Sequence, residues 1–362
     1  MDYAPFFHPA PPVKGAPLLP VFLPHAGCPA RGEERCVFCD QRIQTGCGEA
    51  GCGADGGVEE PGGAELAAAL DALRSTLAQR MEQGAPPVEV GFYGGTFTAL
   101  PGDWPERFVR LAAGFREQGA VVAVRCSTRP DACAPGLLAR LAGLGLETVE
   151  VGVQSFSDEA LAACRRGYDG ETAVAGCRAV RAAGLRLGVH LMPGLPCGSL
   201  RGFLSDAARC VELRAHSVRL HPCLALSGTP LARMHARGAF TPWPLAKALA
   251  ACGTAVARLW EADVRVIRLG LTPEPALLAA IAAGPWHPAF GQRVRGRALY
   301  LHVASRVAAH VRAGLPRPDT LLVPSRHLAD VIGWRRETAP RYAGLGLSVR
   351  EHAENFFLLV RG

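Results

Sequence analysis

The sequence predicts an α/β chain: a parallel (β/α) barrel, partial or complete, followed by a small C-terminal α+β module. Three observations predict it. Short β-rich runs alternate with helical patterns between residues 88 and 220, the pattern changes beyond residue 291, and the 362 residues are 49% hydrophobic and 20% charged. Repeating βα units of this length favour a parallel sheet covered by helices, and a chain of this size and composition can bury a large core.

After a proline-rich leader, residues 18–23 read as a strand that runs directly into a cysteine segment. Residues 46–63 are glycine-rich and read as a flexible insertion. The alternation then predicts strands over 88–93, 121–126, 148–153, 186–191 and 217–220. Between and after them it predicts helices over 104–117, 135–142, 158–164, 171–183 and 200–213. A helix over 245–261 and a strand over 264–269 extend the barrel. Farther on, a helix over 295–312, a strand over 320–324, a helix over 326–334 and β-rich runs at 345–349 and 356–360 form the small module. The expected division is 1–290 for the barrel and 291–362 for the module.

Composition excludes several classes. The most apolar stretch, 245–259, is interrupted by Lys247, Gly253 and Arg258, so no membrane span is expected. The N-terminus has no basic segment followed by an apolar core, and a cytoplasmic location is the expectation. The net charge of +7 comes from arginine spread along the chain, with lysine only at Lys14 and Lys247, the pattern of a solvated surface more than of a nucleic-acid footprint. Thirteen cysteines in such a protein are metal ligands and buried small hydrophobes, not a disulfide framework. Cys164, Cys177, Cys210 and Cys252, in alanine-rich helical patterns, read as core.

The segment His25-Ala26-Gly27-Cys28-Pro29-Ala30-Arg31-Gly32-Glu33-Glu34-Arg35-Cys36-Val37-Phe38-Cys39 carries the chemistry. Three thiolates hold three irons of a cubane [4Fe-4S] cluster and leave the fourth iron open. Spacing alone equally admits a zinc site closed by Cys28, Cys36, Cys39 and Cys47.

Five further stretches occur in order along the chain: Gly91-Phe92-Tyr93-Gly94-Gly95-Thr96-Phe97-Thr98, Ser127-Thr128-Arg129-Pro130-Asp131, Glu150-Val151-Gly152-Val153-Gln154-Ser155-Phe156, Arg165-Arg166-Gly167-Tyr168 and His190-Leu191-Met192-Pro193-Gly194-Leu195-Pro196. With the cysteine segment they resemble the radical S-adenosylmethionine (SAM) superfamily, in the branch of the Elongator catalytic subunit and the oxygen-independent coproporphyrinogen oxidases. The segment 284–291, Gly-Pro-Trp-His-Pro-Ala-Phe-Gly, is similar to a motif of bacterial Elongator-like proteins. The seven residues between Cys28 and Cys36 exceed the three usual in those bacterial proteins and match the longer gap of the eukaryotic subunit.

The resemblance implies a cluster on Cys28, Cys36 and Cys39, with SAM chelating the open iron and Phe38 beside the adenine. It implies Gly94, Gly95 and Thr96 at the methionine part, Ser127 and Gln154 at the ribose or carboxylate, and Arg129 and Arg166 at a carboxylate. Met192 and Gly194 shape the adenine pocket. Independently of the family, all these motifs follow predicted strand ends, where parallel α/β folds place working residues. Several local alternatives stand beside these roles: a tight turn at Gly94 and Gly95, loop hydrogen bonding by Ser127 and Gln154, and a helix cap by Arg166.

Four candidates remain outside that set. His25 and His221 fall at the rim as proton carriers or structural histidines, and Cys47 and Cys52 form a weak second metal pair. The stretch Asp330-Val331-Ile332-Gly333-Trp334-Arg335-Arg336 is reminiscent of the glycine loop of KH modules but lacks its second glycine, so a packing role is the alternative. The functional expectation is reductive cleavage of SAM, with flavodoxin or ferredoxin as electron donor and an RNA nucleoside as substrate. A small metabolite is the close alternative, and a zinc-bearing RNA-binding protein or an inert barrel scaffold is the rival from another class. No acetyltransferase domain is expected in the remaining residues.

Overall fold

The computed structural model describes residues 5–12, 15–23, 28, 36–40, 43 and 62–361. The main sheet contains β1 (Leu18–Phe22), β2 (Val88–Tyr93), β3 (Val121–Thr128), β4 (Thr148–Gln154), β5 (Arg186–Leu191), β6 (Ser217–Leu220) and β8 (Arg265–Leu269), in that spatial order. Every neighbouring pair is parallel. The outermost strands, β1 and β8, do not pair with each other, so the seven strands curl into a partial barrel.

The two faces of this sheet have opposite chemistry because successive side chains alternate. Val88, Val90 and Phe92 of β2, Val124 and Cys126 of β3, Val149, Val151 and Val153 of β4, and Leu187, Val189 and Leu191 of β5 are all buried in one apolar core with the covering helices. The intervening residues face the lumen and are polar or small: Glu89, Arg125, Glu150, Gly188, His190 and Arg219. At Gly188 a Cβ would stand 2.9 Å from Glu150 Cγ, so the missing side chain makes room for the carboxylate of the next strand.

The covering helices are α1 (Gly63–Glu82), α2 (Trp104–Glu117), α3 (Pro135–Gly143), α4 (Asp158–Ala163), α5 (Gly170–Ala182), α6 (Leu200–Glu212), α7 (Pro230–Ala236), α8 (Leu245–Glu261) and α9 (Pro275–Ala280). Helices α4 to α7 open on a serine, aspartate or threonine whose side chain accepts a backbone N–H of the first turn. Helix α1 is not anticipated from the sequence. Its alanine-rich body offers little polarity contrast, and only Leu66, Leu70, Leu73 and Leu77 mark the face that it buries. Cys164, Cys177, Cys210 and Cys252 are fully buried, as expected of core thiols.

Helix α10 (Phe290–Arg312) serves two cores. Val294 and Ala298 pack with the barrel, while Leu299, Val303 and Val307 pack with the C-terminal module. The module is a three-stranded sheet in which β10 (Thr320–Pro324) lies between β11 (Ser348–His352), parallel, and β12 (Leu358–Val360), antiparallel. Phe6 from the proline-rich leader enters its core and exchanges backbone hydrogen bonds of 2.9 and 2.7 Å with Phe357. A short ribbon pairs β7 (Ala225–Leu226) with β9 (Ile281–Ala283), antiparallel and separate from the main sheet.

The sequence predicts one helix over 326–334, and the structure breaks it. Helix α11 (Leu328–Ile332) stops at Gly333, whose φ of 76° is left-handed and whose Cβ would collide with Thr338 Oγ1. The stretch with KH-like spacing is thus a turn folded onto Thr338, with Glu337 forked by Arg293 at 2.8 and 2.7 Å. The expected strand at 345–349 starts later, at Ser348, because Leu345, Gly346 and Leu347 turn back to close the end of helix α12 (Ala339–Gly344), donating to Arg341 O, Ala343 O and Tyr342 O.

Candidate active site at the carboxyl rim of the sheet

A cavity of roughly 380 Å³ opens where the strands end. Of the residues expected at a cofactor, Cys28, Cys36, Phe38, Cys39, Gly94, Gly95, Thr96, Ser127, Arg129, Gln154, Arg166 and Met192 line it together. Gly194 does not: it stands in a left-handed turn with φ 86°, where a Cβ would press on the Trp243 ring at 3.3 Å. Its place is in the packing behind the wall. His25, Cys47, Cys52 and most of the glycine-rich insertion lie outside the described residues.

The end of the cysteine segment is a tight turn closed by Cys39 N–H donating to the Cys36 carbonyl at 3.0 Å. Val37 fixes it to the fold, donating to Cys164 O at 3.2 Å and accepting from Leu231 N–H at 2.8 Å. Phe38 is buried in an apolar cluster with Leu195, Cys164 and Cys223. Burial pushes the Cys39 thiol up to about 12, and the neighbouring Cys36 and Cys28 push in the same direction. A cation bound at these sulfurs would reverse that penalty.

Arg166 spans the site. Its Nη1 donates to Cys36 Sγ at 3.1 Å, Nη2 to Gly152 O at 2.7 Å, and both Nε and Nη2 reach Tyr168 Oη at 2.9 and 2.7 Å. It caps no helix. Burial alone would lower its affinity for the proton, but Tyr168 and Cys36 outweigh that and hold the guanidinium charged. Gly152 is required here because a Cβ would meet the Gln154 amide and approach Arg166.

Arg129 is forked to Asp131 at 2.9 and 2.8 Å and donates to Arg166 O at 2.6 Å. Thr98 and Thr128 share a 2.5 Å hydrogen bond beneath Thr96 and tie the strand ends together. Gln154 ends β4 at φ 68°, an unusual conformation for a residue with a side chain, and is buried. Two sealed polar atoms on this wall, Gln154 Oε1 and Arg129 Nη1, have no hydrogen-bond partner among the described residues. An acceptor and a charged donor of this kind match the donor and carboxylate groups of an amino-acid moiety, so the residues present fit the methionine end of SAM.

Deeper in the lumen lies a charge network that the sequence reading did not single out. Arg125 is forked to Glu89 at 2.7 and 2.6 Å and donates to Glu150 at 2.7 Å. Arg219 reaches the same Glu150 at 2.9 Å and Tyr93 Oη at 3.1 Å. Burial pushes the Tyr93 phenol up to about 12, with Glu150 adding to the effect. Arg268, His190 and His221 complete the far wall. The two imidazoles meet edge to face with centroids 4.3 Å apart, and both are held neutral, chiefly by burial. The available signal was charge inside strands of a parallel sheet, where continuous apolar runs are the rule.

A partial parallel barrel with three cysteines and a glycine turn on one rim defines an enzyme of the radical SAM type. Residues 23–199 match the family described as the radical SAM superfamily, and residues 215–299 match its C-terminal domain. The chain belongs to the radical SAM superfamily. It is 28% identical over 258 residues to the tRNA uridine(34) acetyltransferase of Methanocaldococcus infernus, covering 64% of this chain and 47% of that one. It is 28% identical over 176 residues to the Elongator complex protein 3 of Danio rerio, covering 42% and 32%. The solved structure of Methanocaldococcus infernus Elp3 with an N-terminal deletion shares the fold, with a TM-score of 0.55 at 20% identity over 85% of this chain and 65% of that chain. The chain spans about half or less of the length of these curated relatives. Among the described residues, no helix is long and apolar enough to cross a membrane.

Proposed function

We propose that this chain holds a [4Fe-4S] cluster on Cys28, Cys36 and Cys39 and cleaves SAM reductively to start radical chemistry on an RNA nucleoside. The observation that carries the reading is the convergence of the three cysteines, Gly94 to Thr96 and Gln154 on one cavity. When bound, the cluster and SAM supply a 5′-deoxyadenosyl radical, at the expense of one electron from flavodoxin or ferredoxin in the cytoplasm.

The protein's own part is binding, orientation and exclusion of water. Cys28, Cys36 and Cys39 hold the cluster, and Arg166 fixes Cys36 from behind. Gly94 has φ 95° and offers backbone without side-chain bulk for the methionine end. Gln154 Oε1 accepts from the amino group, Arg129 Nη1 donates to the carboxylate, and Ser127 serves the ribose. Phe38 and Met192 give the adenine an apolar bed. The RNA nucleoside is suggested by the tRNA-modifying relatives. A small metabolite is the second reading, favoured by a cavity volume within the usual small-molecule range.

Anaerobic reconstitution tests the reading. The expected result is about four irons per chain, reductant-dependent release of 5′-deoxyadenosine, and loss of both in Cys36→Ser. Stoichiometric zinc with no SAM cleavage overturns it in favour of a metal-bearing binding protein. Transfer RNA that suppresses uncoupled 5′-deoxyadenosine release supports the RNA substrate, while suppression by a metabolite pool alone replaces it with the second reading.

A further inference from the structure

The far wall of the lumen carries a row of cationic and hydrogen-bonding side chains in register. His190 of β5 stands opposite Arg219 of β6, and Arg219 stands opposite Arg268 of β8. The second pairing is produced by an irregularity: Val218 pairs with Val266, but the next pair is Arg219 with Arg268, so Ile267 is the extra residue. A bulge of this kind re-aims the following side chain. Without it Ile267 would face Arg219; with it, Arg268 lines the cavity.

Two guanidinium groups directly opposite each other repel. Arg219 is compensated by Glu150, but Glu150 also serves Arg125, and Glu89 is used by Arg125 as well. Among the described residues no carboxylate lies within 4.0 Å of Arg268, whose side chain donates to Thr272 Oγ1. Three lumen arginines therefore face two carboxylates. Next to the surplus charge, His190 Nε2, His221 Nε2 and Arg219 Nε are sealed and lack a partner among the described residues. Buried polar atoms of this kind are normally satisfied, and here they border one cavity.

We propose that Arg268 and Arg219, with His190 and His221 beside them, receive an anionic group of the substrate, a carboxylate or a phosphate, on the β5, β6 and β8 side of the cavity. The assignment of that anion to the substrate rests on the radical SAM reading above. The guanidinium fork suits either oxyanion. Its place on β6 and β8 separates it from Arg129 and Gln154 on β3 and β4, which serve the cofactor.

The test is the melting temperature of the cluster-reconstituted chain titrated with inorganic phosphate and, separately, with acetate at constant ionic strength, since a ligand that binds the folded state raises it saturably. The expected result is a saturable rise with at least one probe, unaffected by saturating SAM. Loss of a charge-assisted contact weakens the apparent affinity at least roughly tenfold in Arg268→Gln, and Arg268→Lys, which keeps the charge without the fork, falls between that variant and wild type. His221→Gln, a milder change, weakens it to a smaller degree and keeps the test open if Arg268→Gln does not fold. Preference for phosphate supports a nucleotide-like substrate, and preference for acetate supports a carboxylate metabolite. No saturable rise with either probe, an equal rise in Arg268→Gln, or abolition by SAM overturns the proposal. Failure of SAM cleavage with the rise intact would sink the radical reading and leave the anion site standing.

Discussion

The two walls of the cavity are built from the same kind of strand yet solve the problem of buried charge differently. On the β2–β4 side the described charges find counter-groups inside the protein, Glu89 with Arg125, Arg125 with Glu150, Arg129 with Asp131, and Arg166 with Cys36, and only Arg129 Nη1 and Gln154 Oε1 stay open. On the β5–β8 side His190, His221 and Arg268 lack such matching among the described residues. A desolvated polar group without a partner is costly, so the first wall is a mount whose charges are already paired, with two atoms left for a ligand, and the second is a surface whose surplus cation and imidazoles a ligand completes.

Glu150 is where the two walls meet, and removing its charge should have the largest effect. Glu150→Gln leaves Arg125 with Glu89 alone and Arg219 with no carboxylate. Breaking a buried ion pair by deleting one partner typically costs several kcal/mol; with both arginines partly solvated, we expect about 2–4 kcal/mol in chemical denaturation. Phosphate at saturating concentration should restore part of that loss. A cost below about 0.5 kcal/mol would show that the walls do not depend on this carboxylate.

Much of this arrangement was legible in the sequence. Helix α2 and strands β5, β6 and β10 fall on the anticipated residues, because apolar periodicity and flanking turn residues agree there. The rim was legible because strand ends are fixed points of a parallel fold and the motifs follow them. Of the far wall only His221 was. Arg268 faces the lumen only through the slip at Ile267, which no periodic pattern announces. The pairing of Glu150 with Arg125 on the adjacent β3 and with Arg219 two strands away on β6 needs the curl of the sheet, not the order of residues. Gly194 was misplaced for a related reason: its motif reaches the rim, but its own left-handed turn points it at Trp243.

A second prediction concerns the unmatched wall. Burial holds His190 down to about 3, with Arg219, Arg166 and Arg268 adding to the effect, against an ordinary value near 6.5. The folded state therefore keeps a neutral ring where the unfolded chain takes up a proton. Stability from this group is complete above about pH 6.5 and is lost as pH falls toward about 3, by up to about 1.4 kcal/mol per pH unit. His8 and His302 are depressed in the same direction, so the informative quantity is the difference between wild type and His190→Gln. Measured without added anions, the variant should lose stability less steeply, by about 1 kcal/mol per unit, between pH 6 and 4.5. Parallel curves would mean that the ring is solvated and the wall is not sealed.

The smallest expected effect comes from a matched control at the opposite end of the same strands. Glu147, just before β4, also stands between two arginines, Arg116 at 3.1 Å and Arg186 at 3.4 Å. The residue types repeat the Glu150 arrangement, but the partners are 39% and 56% exposed, against 18% and 15% for Arg125 and Arg219. Solvent and salt screen such pairs. Glu147→Gln should cost less than about 1 kcal/mol, and the cost should vanish at high ionic strength. If Glu147→Gln and Glu150→Gln cost the same at both low and high salt, burial is not what distinguishes the two ends of the barrel. The contrast between its walls would then need a cause other than desolvation.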